Sequence, residues 1–293
     1  MRVTGPDASA FLQSQLTSDF ASLHAGRARL AGFCSAKGRL QASFFGWRQG
    51  EDIVLLCAAD LLAATLKRMS MFVLRMKCKL SDATQELPVF GLAGADDDGP
   101  LTSLLIWEVH ETADGTLIRL PDAQGQALGL WLPRRDALAL PNLPVLGQDA
   151  WRWLQISSGI PVVEATTVDM FVPQMINFEI LGGIDFQKGC YPGQEVVARS
   201  QYRGTLKRRM FLFDCDIGVS AGQEVFGTVD PTQPAGVVAN AAPAPYGPGS
   251  RALIELKMSE LQRGTLHLGH SDGAVLTQRD LPYTIAISSA ESG

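Results

Sequence analysis

The sequence predicts an α+β protein whose last third is a small antiparallel β-barrel or sandwich. Two observations lead there. Up to about residue 205, apolar stripes at helical spacing alternate with short strand runs. From about residue 206 the texture changes to closely spaced β-rich runs broken by turn residues. Composition agrees. A chain of 293 residues, 46% hydrophobic and 19% charged, with 29 glycines and 16 prolines, suits one large globular domain or two to three small ones. At this length folding buries enough surface to need no covalent staples.

Taken in order, residues 4–20 read as a capped helix. Thr4, Pro6 and Asp7 supply start signals, and Phe11, Leu12 and Leu16 form the apolar stripe. Arg39 to Trp47 alternates as a strand, and Ile53 to Cys57 is a short apolar one. Asp60 is placed to cap a second helix, with Leu62, Leu66, Met69 and Val73 on one face, and Lys77 to Leu80 returns as a strand. Gly94 to Pro100 reads as a loop. Leu104 to Trp107, Leu117 to Leu120 and Leu128 to Leu132 read as strands, and Asp136 to Leu140 is ambiguous. Asp149 is placed to cap a third helix, with Trp151 inward, stopping near Gly159-Ile160-Pro161. The final region contributes Met210–Cys215, Glu224–Val229, Gly236–Asn240, Ala252–Lys257, Thr265–Leu268 and Ala274–Thr277. The units expected are therefore 1–93, 94–205 and 206–293.

The net charge of −5 argues against nucleic-acid or membrane binding through overall charge. A local basic patch stands out at Arg199, Arg203, Lys207, Arg208 and Arg209. Five cysteines, Cys34, Cys57, Cys78, Cys190 and Cys215, form no Cys-x-x-Cys pair, which suits neither a disulfide framework nor a structural zinc site. With no signal pattern and no apolar run of membrane-spanning length, a reducing cytoplasm is expected. Nucleotide-phosphate loops and the Gly-x-Ser-x-Gly elbow are absent. His267 and His270 lack a third ligand, so no bound metal is expected.

The segment richest in chemistry is Asp185-Phe186-Gln187-Lys188-Gly189-Cys190-Tyr191-Pro192-Gly193-Gln194-Glu195. Tyr191-Pro192-Gly193-Gln194 carries the type II turn signature, Pro second and Gly third. If Lys188 to Cys190 is extended, both side chains share a face, and the ammonium favours the Cys190 thiolate. Gln194 and Glu195 are then placed to hydrogen-bond a ligand. The competing reading is an inert cysteine beside a solvated lysine.

Lys188 to Glu195, continuing through Val196-Val197-Ala198-Arg199 and Arg203-Gly204 to Lys207-Arg208, resembles the signature of the YgfZ family. These are folate-binding relatives of the aminomethyltransferase, or T-protein, of the glycine cleavage system. Phe11 to Asp19, Cys34 to Arg39, Gly159-Ile160-Pro161, Phe171 to Gln174 and Leu181 to Ile184 extend the resemblance over nearly the whole chain.

The resemblance implies two intertwined α/β units and a C-terminal antiparallel β-barrel around a central cavity, with tetrahydrofolate or a derivative bound there. It implies a monomeric accessory protein that assembles or repairs iron–sulfur clusters in client enzymes. Its link to tRNA modification is then indirect, without direct nucleic-acid or membrane contact. Cys190 and Lys188 are the reactive pair it implies. Gly189, Tyr191, Gly193, Gln194, Glu195, Arg199, Gln174 and Asn177 are the cofactor contacts, with Gln13, Asp19 and Lys37 as further candidates. One cysteine cannot complete an all-cysteine cluster site, so the chain reads as a helper to cluster proteins. T-proteins carry an acid a few positions into the helix after the second strand; that position falls near Ala64 and has none, which argues against aminomethyl transfer. Two alternatives stay open: a folate-dependent one-carbon transferase, and a folate-binding module with a structural Cys190.

Overall fold

Fifteen strands fall into three antiparallel sheets in the computed structural model, which describes residues 1–94, 99–134, 144–202, 206–261 and 264–285. The first sheet contains β1 (Arg2–Thr4), β2 (Ala28–Cys34), β3 (Leu40–Gln49), β4 (Asp52–Leu56) and β5 (Lys79–Ser81), in the order β2-β3-β4-β1-β5. It carries α1 (Ala8–Gln15) and α2 (Ala59–Ser70). The second sheet contains β6 (Phe90–Gly94), β7 (Val109–Glu111), β8 (Gly115–Ala123) and β9 (Gln126–Pro133), in the order β6-β9-β8-β7. Helices α3 (Gln148–Ser157) and α4 (Gln194–Tyr202) bracket two short 3-10 turns, Ala165–Thr167 and Pro173–Ile176.

The last region is a closed six-stranded barrel. Its strands are β10 (Arg208–Cys215), β11 (Glu224–Gly227), β12 (Pro234–Pro243), β13 (Ser250–Lys257), β14 (Leu266–Leu268) and β15 (Val275–Arg279). Each of the six expected runs overlaps one of these strands. Pairing of β10 with both β13 and β15 closes the ring and leaves no open edge.

Four apolar clusters form among the described residues, the smallest of them on the second sheet at Leu117 and Trp131. One fills the barrel with Phe213, Val225, Val238, Ile254 and Leu256. A second joins the two sheets through Trp47, Val54, Ile118 and Leu128. The largest runs from Phe11, Leu12 and Leu40 through Ile176 and Phe178 to Met210 and Leu253, so the first sheet and the barrel share one core. Polar bonds follow the same path. Asn177, at φ +60, donates to the carbonyl of Met210 at 2.8 Å. Arg209 donates to the carbonyl of Gln174 at 3.0 Å and pairs with Glu179, both side chains only 9% exposed.

Several sequence expectations give way to tertiary structure. The first helix ends at Gln15, because Leu16 turns extended and bridges Phe33 while Thr17 N–H donates to Gly32. Leu104 to Trp107 is not a strand. Its amides go to Leu101, the Glu108 carboxylate and Arg119, and Trp107 adopts φ +68. Asp60 and Asp149 lie in first turns whose N-caps are Ala58 and Gly147; there they complement the helix dipole. The Asp7 carboxylate takes the backbone N–H of Lys77 at 2.6 Å rather than capping α1. Asp136 to Leu140 lies outside the described residues.

Candidate functional site

The cysteine motif forms an irregular loop leading into α4. Its turn is as expected: Gly193 has φ +80, and Gln194 N–H donates to the Tyr191 carbonyl at 3.2 Å. A Cβ on Gly193 would lie 2.4 Å from the Ser35 carbonyl oxygen and 2.7 Å from the Cα of Gly38. The motif turn thus packs backbone-to-backbone on the β2–β3 hairpin turn, which only glycine permits. Thr17 stitches the other end, accepting from Gly32 N–H and donating to the Gly183 carbonyl at 2.5 Å, while its own carbonyl takes Asp185 N–H.

Lys188 and Cys190 do not share a strand face. Asp185 accepts the N–H groups of Gln187 and Lys188 and bends the chain over residues 186–188, just ahead of the cysteine. Lys188 turns inward, only 9% exposed, and its ammonium donates to the carbonyls of Gln13 and Leu16 at 2.5 Å each. It lies 4.9 Å from the Tyr191 ring centroid. Burial lowers its pKa from 10.5 to about 8, against the opposing pull of Asp19, Asp185 and Cys190. Burial likewise pushes the Tyr191 hydroxyl up. Cys190 is exposed, the only one of the five cysteines that is; Cys34 and Cys215 are buried.

The other residues implied by the resemblance scatter around this loop. Gly189, Glu195, Arg199 and Lys37 are exposed, and Gln194 is half-buried. Gln13 accepts Phe20 N–H at 2.7 Å, and Asp19 accepts Ala21 N–H at 3.0 Å, which holds the turn after α1. Gln174 and Asn177 are fully buried, with their amides donating to Val197 and Met210 carbonyls. The basic patch does not assemble: Arg208 pairs with Glu255 and Arg209 with Glu179, while Arg203 lies outside the described residues.

Clefts lie elsewhere. One of about 650 Å³ is lined by Arg2, Arg48, Glu86, Glu111 and Arg134 and has no aromatic wall. A cleft of about 590 Å³ opens where β2, β3, the start of α2, α3 and β12 meet. Phe44, Phe45, Leu56, Trp151, Ile156 and Ile160 give it apolar walls, and Asp60, Arg152 and Glu164 supply charge. None of residues 188–195, nor Gln174, Asn177 or Arg199, lines it.

Glu164 is held by its neighbours. Asn240 of β12 clamps Val162 through both its N–H and its carbonyl, and the Ser43 hydroxyl accepts Val163 N–H at 2.9 Å. Asp60 accepts Ala165 N–H at 2.9 Å, which brings a second carboxylate alongside. Arg152 pairs with Glu164 at 2.9 Å. Burial raises the Glu164 pKa, with Asp60 acting in the same direction and Arg152 against. The result is a partly desolvated carboxylate beside aromatic walls, suited to receive donors from a flat polar ligand. Sequence reasoning passes over Arg152 and Glu164, which lie in a helix and a loop and carry no motif. Trp151 reads there as core, and Asp60 as a cap.

This arrangement of two antiparallel units and a closed barrel is that of the T-protein class. It superposes on the glycine cleavage system aminomethyltransferase T from Bartonella henselae with a TM-score of 0.70, over 97% of this chain and 83% of that one, at 18% identity. No family model matches. The chain is 33% identical to the tRNA-modifying protein YgfZ of Edwardsiella ictaluri over 72% of its length and 67% of the relative's. It is 31% identical to that of Vibrio vulnificus, over 75% and 68%. The chain belongs to the YgfZ family. No described helix is long and apolar enough to cross a membrane.

Proposed function

We propose that this chain is a tetrahydrofolate-binding helper protein of tRNA modification, with the pterin seated in the cleft and Cys190 presented separately on the surface. The observation that carries the reading is the pairing of aromatic walls with the desolvated Glu164 carboxylate. A pterin is flat and offers adjacent N–H donors, and a carboxylate matches that edge. Phe45 and Trp151 flank the ring, Glu164 orients it, and Arg152 keeps Glu164 in place while facing the acidic tail. A bound tetrahydrofolate supplies a carrier for one-carbon units. The curated relatives are named for tRNA modification. The exposed Cys190 thiol then acts on iron–sulfur client enzymes or cluster carriers in the cytoplasm, in assembly or repair of their clusters, and the effect on tRNA is indirect.

Titration with tetrahydrofolate, followed by calorimetry, tests the cleft. Binding should weaken about tenfold in Glu164→Gln, the loss of one charge-assisted hydrogen bond. Unchanged affinity in that variant removes the cleft assignment. Cys190→Ser should keep folate affinity and lose support of cluster-dependent tRNA-modifying enzymes in cells; full support reduces Cys190 to a structural residue. A second reading, folate-dependent one-carbon transfer, draws on the Asp60 carboxylate in the same cleft. Turnover of a one-carbon folate with an amine acceptor, lost in Asp60→Asn, would establish it.

A further inference from the structure

Helix α2 begins at the cleft, where Ala59 and Asp60 line the wall, and ends about 18 Å away at a basic and apolar surface. Between Lys67 and Lys79 the chain carries Lys67, Arg68, Arg75, Lys77 and Lys79 and no acid, although its net charge is −5. All five cations are exposed, and none forms an ion pair among the described residues. Amid them stand Met71, 62% exposed, Phe72, 37%, and Leu74, 86%.

This knob is built rather than frayed. Buried Met69 and half-buried Val73 and Met76 pack on the core beneath it. Phe72 N–H donates to Met69, Val73 N–H to Ser70, and Met76 N–H to Val73. Leu74 itself sits at φ +48, a left-handed conformation that is strained for a branched apolar residue. The turn therefore holds Leu74 outward, with most of its side chain in solvent.

We propose that this knob is a docking site for an acidic, amphipathic segment of a partner protein. The unpaired cations select acidic charge, and Met, Phe and Arg are the residue types enriched at protein interface cores. RNA fits less well: Met71 and Leu74 offer no stacking face, and the Arg68 guanidinium covers the Phe72 ring at 5.4 Å. A fluid bilayer accepts an apolar side chain in any direction, whereas a shaped protein pocket requires the fixed direction that Leu74 is strained to give. The inference is independent of what occupies the cleft.

The test uses the full chain and two fluorescein-labelled synthetic peptides rich in Glu and Asp. One carries leucines at helical spacing and one carries them alternating, and binding is read by anisotropy. At least one should bind, less tightly as salt rises. Leu74→Gly and the pair Lys67→Glu with Lys77→Glu should each weaken binding about tenfold. Leu74→Gly should at the same time keep or raise the urea midpoint, since glycine relieves the strain; this separates lost docking from lost folding. The proposal is overturned if neither peptide binds, or if the variants bind as well as the parent. It is equally overturned if these variants abolish binding to phosphatidylserine-containing vesicles or to poly(U) while leaving the peptides unaffected.

Discussion

The Lys188 ammonium lies 4.9 Å from the centre of the Tyr191 ring, so the two residues flanking Gly189 and Cys190 fold toward each other and leave the thiol outside. Burial sets the folded pKa of Lys188 at about 8, below its ordinary 10.5. Below pH 8 the lysine is charged in both folded and unfolded chains, and its desolvation cost is constant. Between about 8 and 10.5 the unfolded chain holds the proton and the folded one does not, so folding stability rises with pH through this window. Above about pH 9 the buried Cys34 thiol, held up to about 12, acts in the opposite direction, so the Lys188 effect is read as a difference. In urea unfolding, the stability of the parent relative to Lys188→Met should rise with pH across the window. A difference that does not change with pH would remove the buried-ammonium assignment.

The Gly193–Gly38 contact makes a sharper demand. An alanine at 193 meets the Ser35 carbonyl at 2.4 Å and must hold φ +80. The obstacle is backbone on both sides, so it cannot swing away. Gly193→Ala should lower stability by about 2–3 kcal/mol, read from the urea midpoint. Pro192→Ala keeps the turn's hydrogen bond and should cost under about 1 kcal/mol. Equal effects from the two changes would show that the packed turns do not depend on glycine.

Much of this architecture is legible in the chain, and the failures have physical causes. Every barrel strand shows, because turn residues punctuate its β-rich runs at close spacing. Helix α3 stops at Gly159, which takes φ +72. Strand β2, Ala-Arg-Leu-Ala-Gly-Phe-Cys, goes unread because it is buried on both faces over most of its length and does not alternate. Helix α4 goes unread because Val197 is its single buried residue. At the cysteine motif, the turn is local and visible. The orientation of Lys188 is not, because its acceptors lie 175 and 172 residues away in sequence. The cleft draws Ser43, Asp60, Trp151, Glu164 and Asn240 from three regions of the chain, and no spacing rule joins them.

Arg209 and Glu179 form an ion pair removed from water between β10 and the turn after Pro173–Ile176. Arg209 also donates to Gln174, so its charge is satisfied only while both acceptors stay. Glu179→Ala leaves a buried guanidinium with one carbonyl partner and should cost about 3–5 kcal/mol. The double change Arg209→Met with Glu179→Leu removes both charges and should recover most of that loss. Thermal unfolding of the single and double variants distinguishes an uncompensated charge from simple loss of packing, which the double variant would not repair.

Cysteine chemistry follows from exposure. Cys34 is buried, with burial and Asp169 pushing its pKa up to about 12, so it is both hidden and protonated at neutral pH. Burial raises Cys57 and Cys78 as well. Only Cys190 of the five is exposed, on a loop held by backbone contacts. Iodoacetamide at neutral pH should therefore alkylate Cys190 first, and peptide mass mapping of a brief reaction should find the label there alone. Cys190→Ser should abolish that fast phase and shift the urea midpoint by less than about 0.5 kcal/mol. Faster labelling of Cys78, or a large loss of stability in Cys190→Ser, would mean that the thiol is part of the packing and that the exposed-loop geometry does not hold in solution.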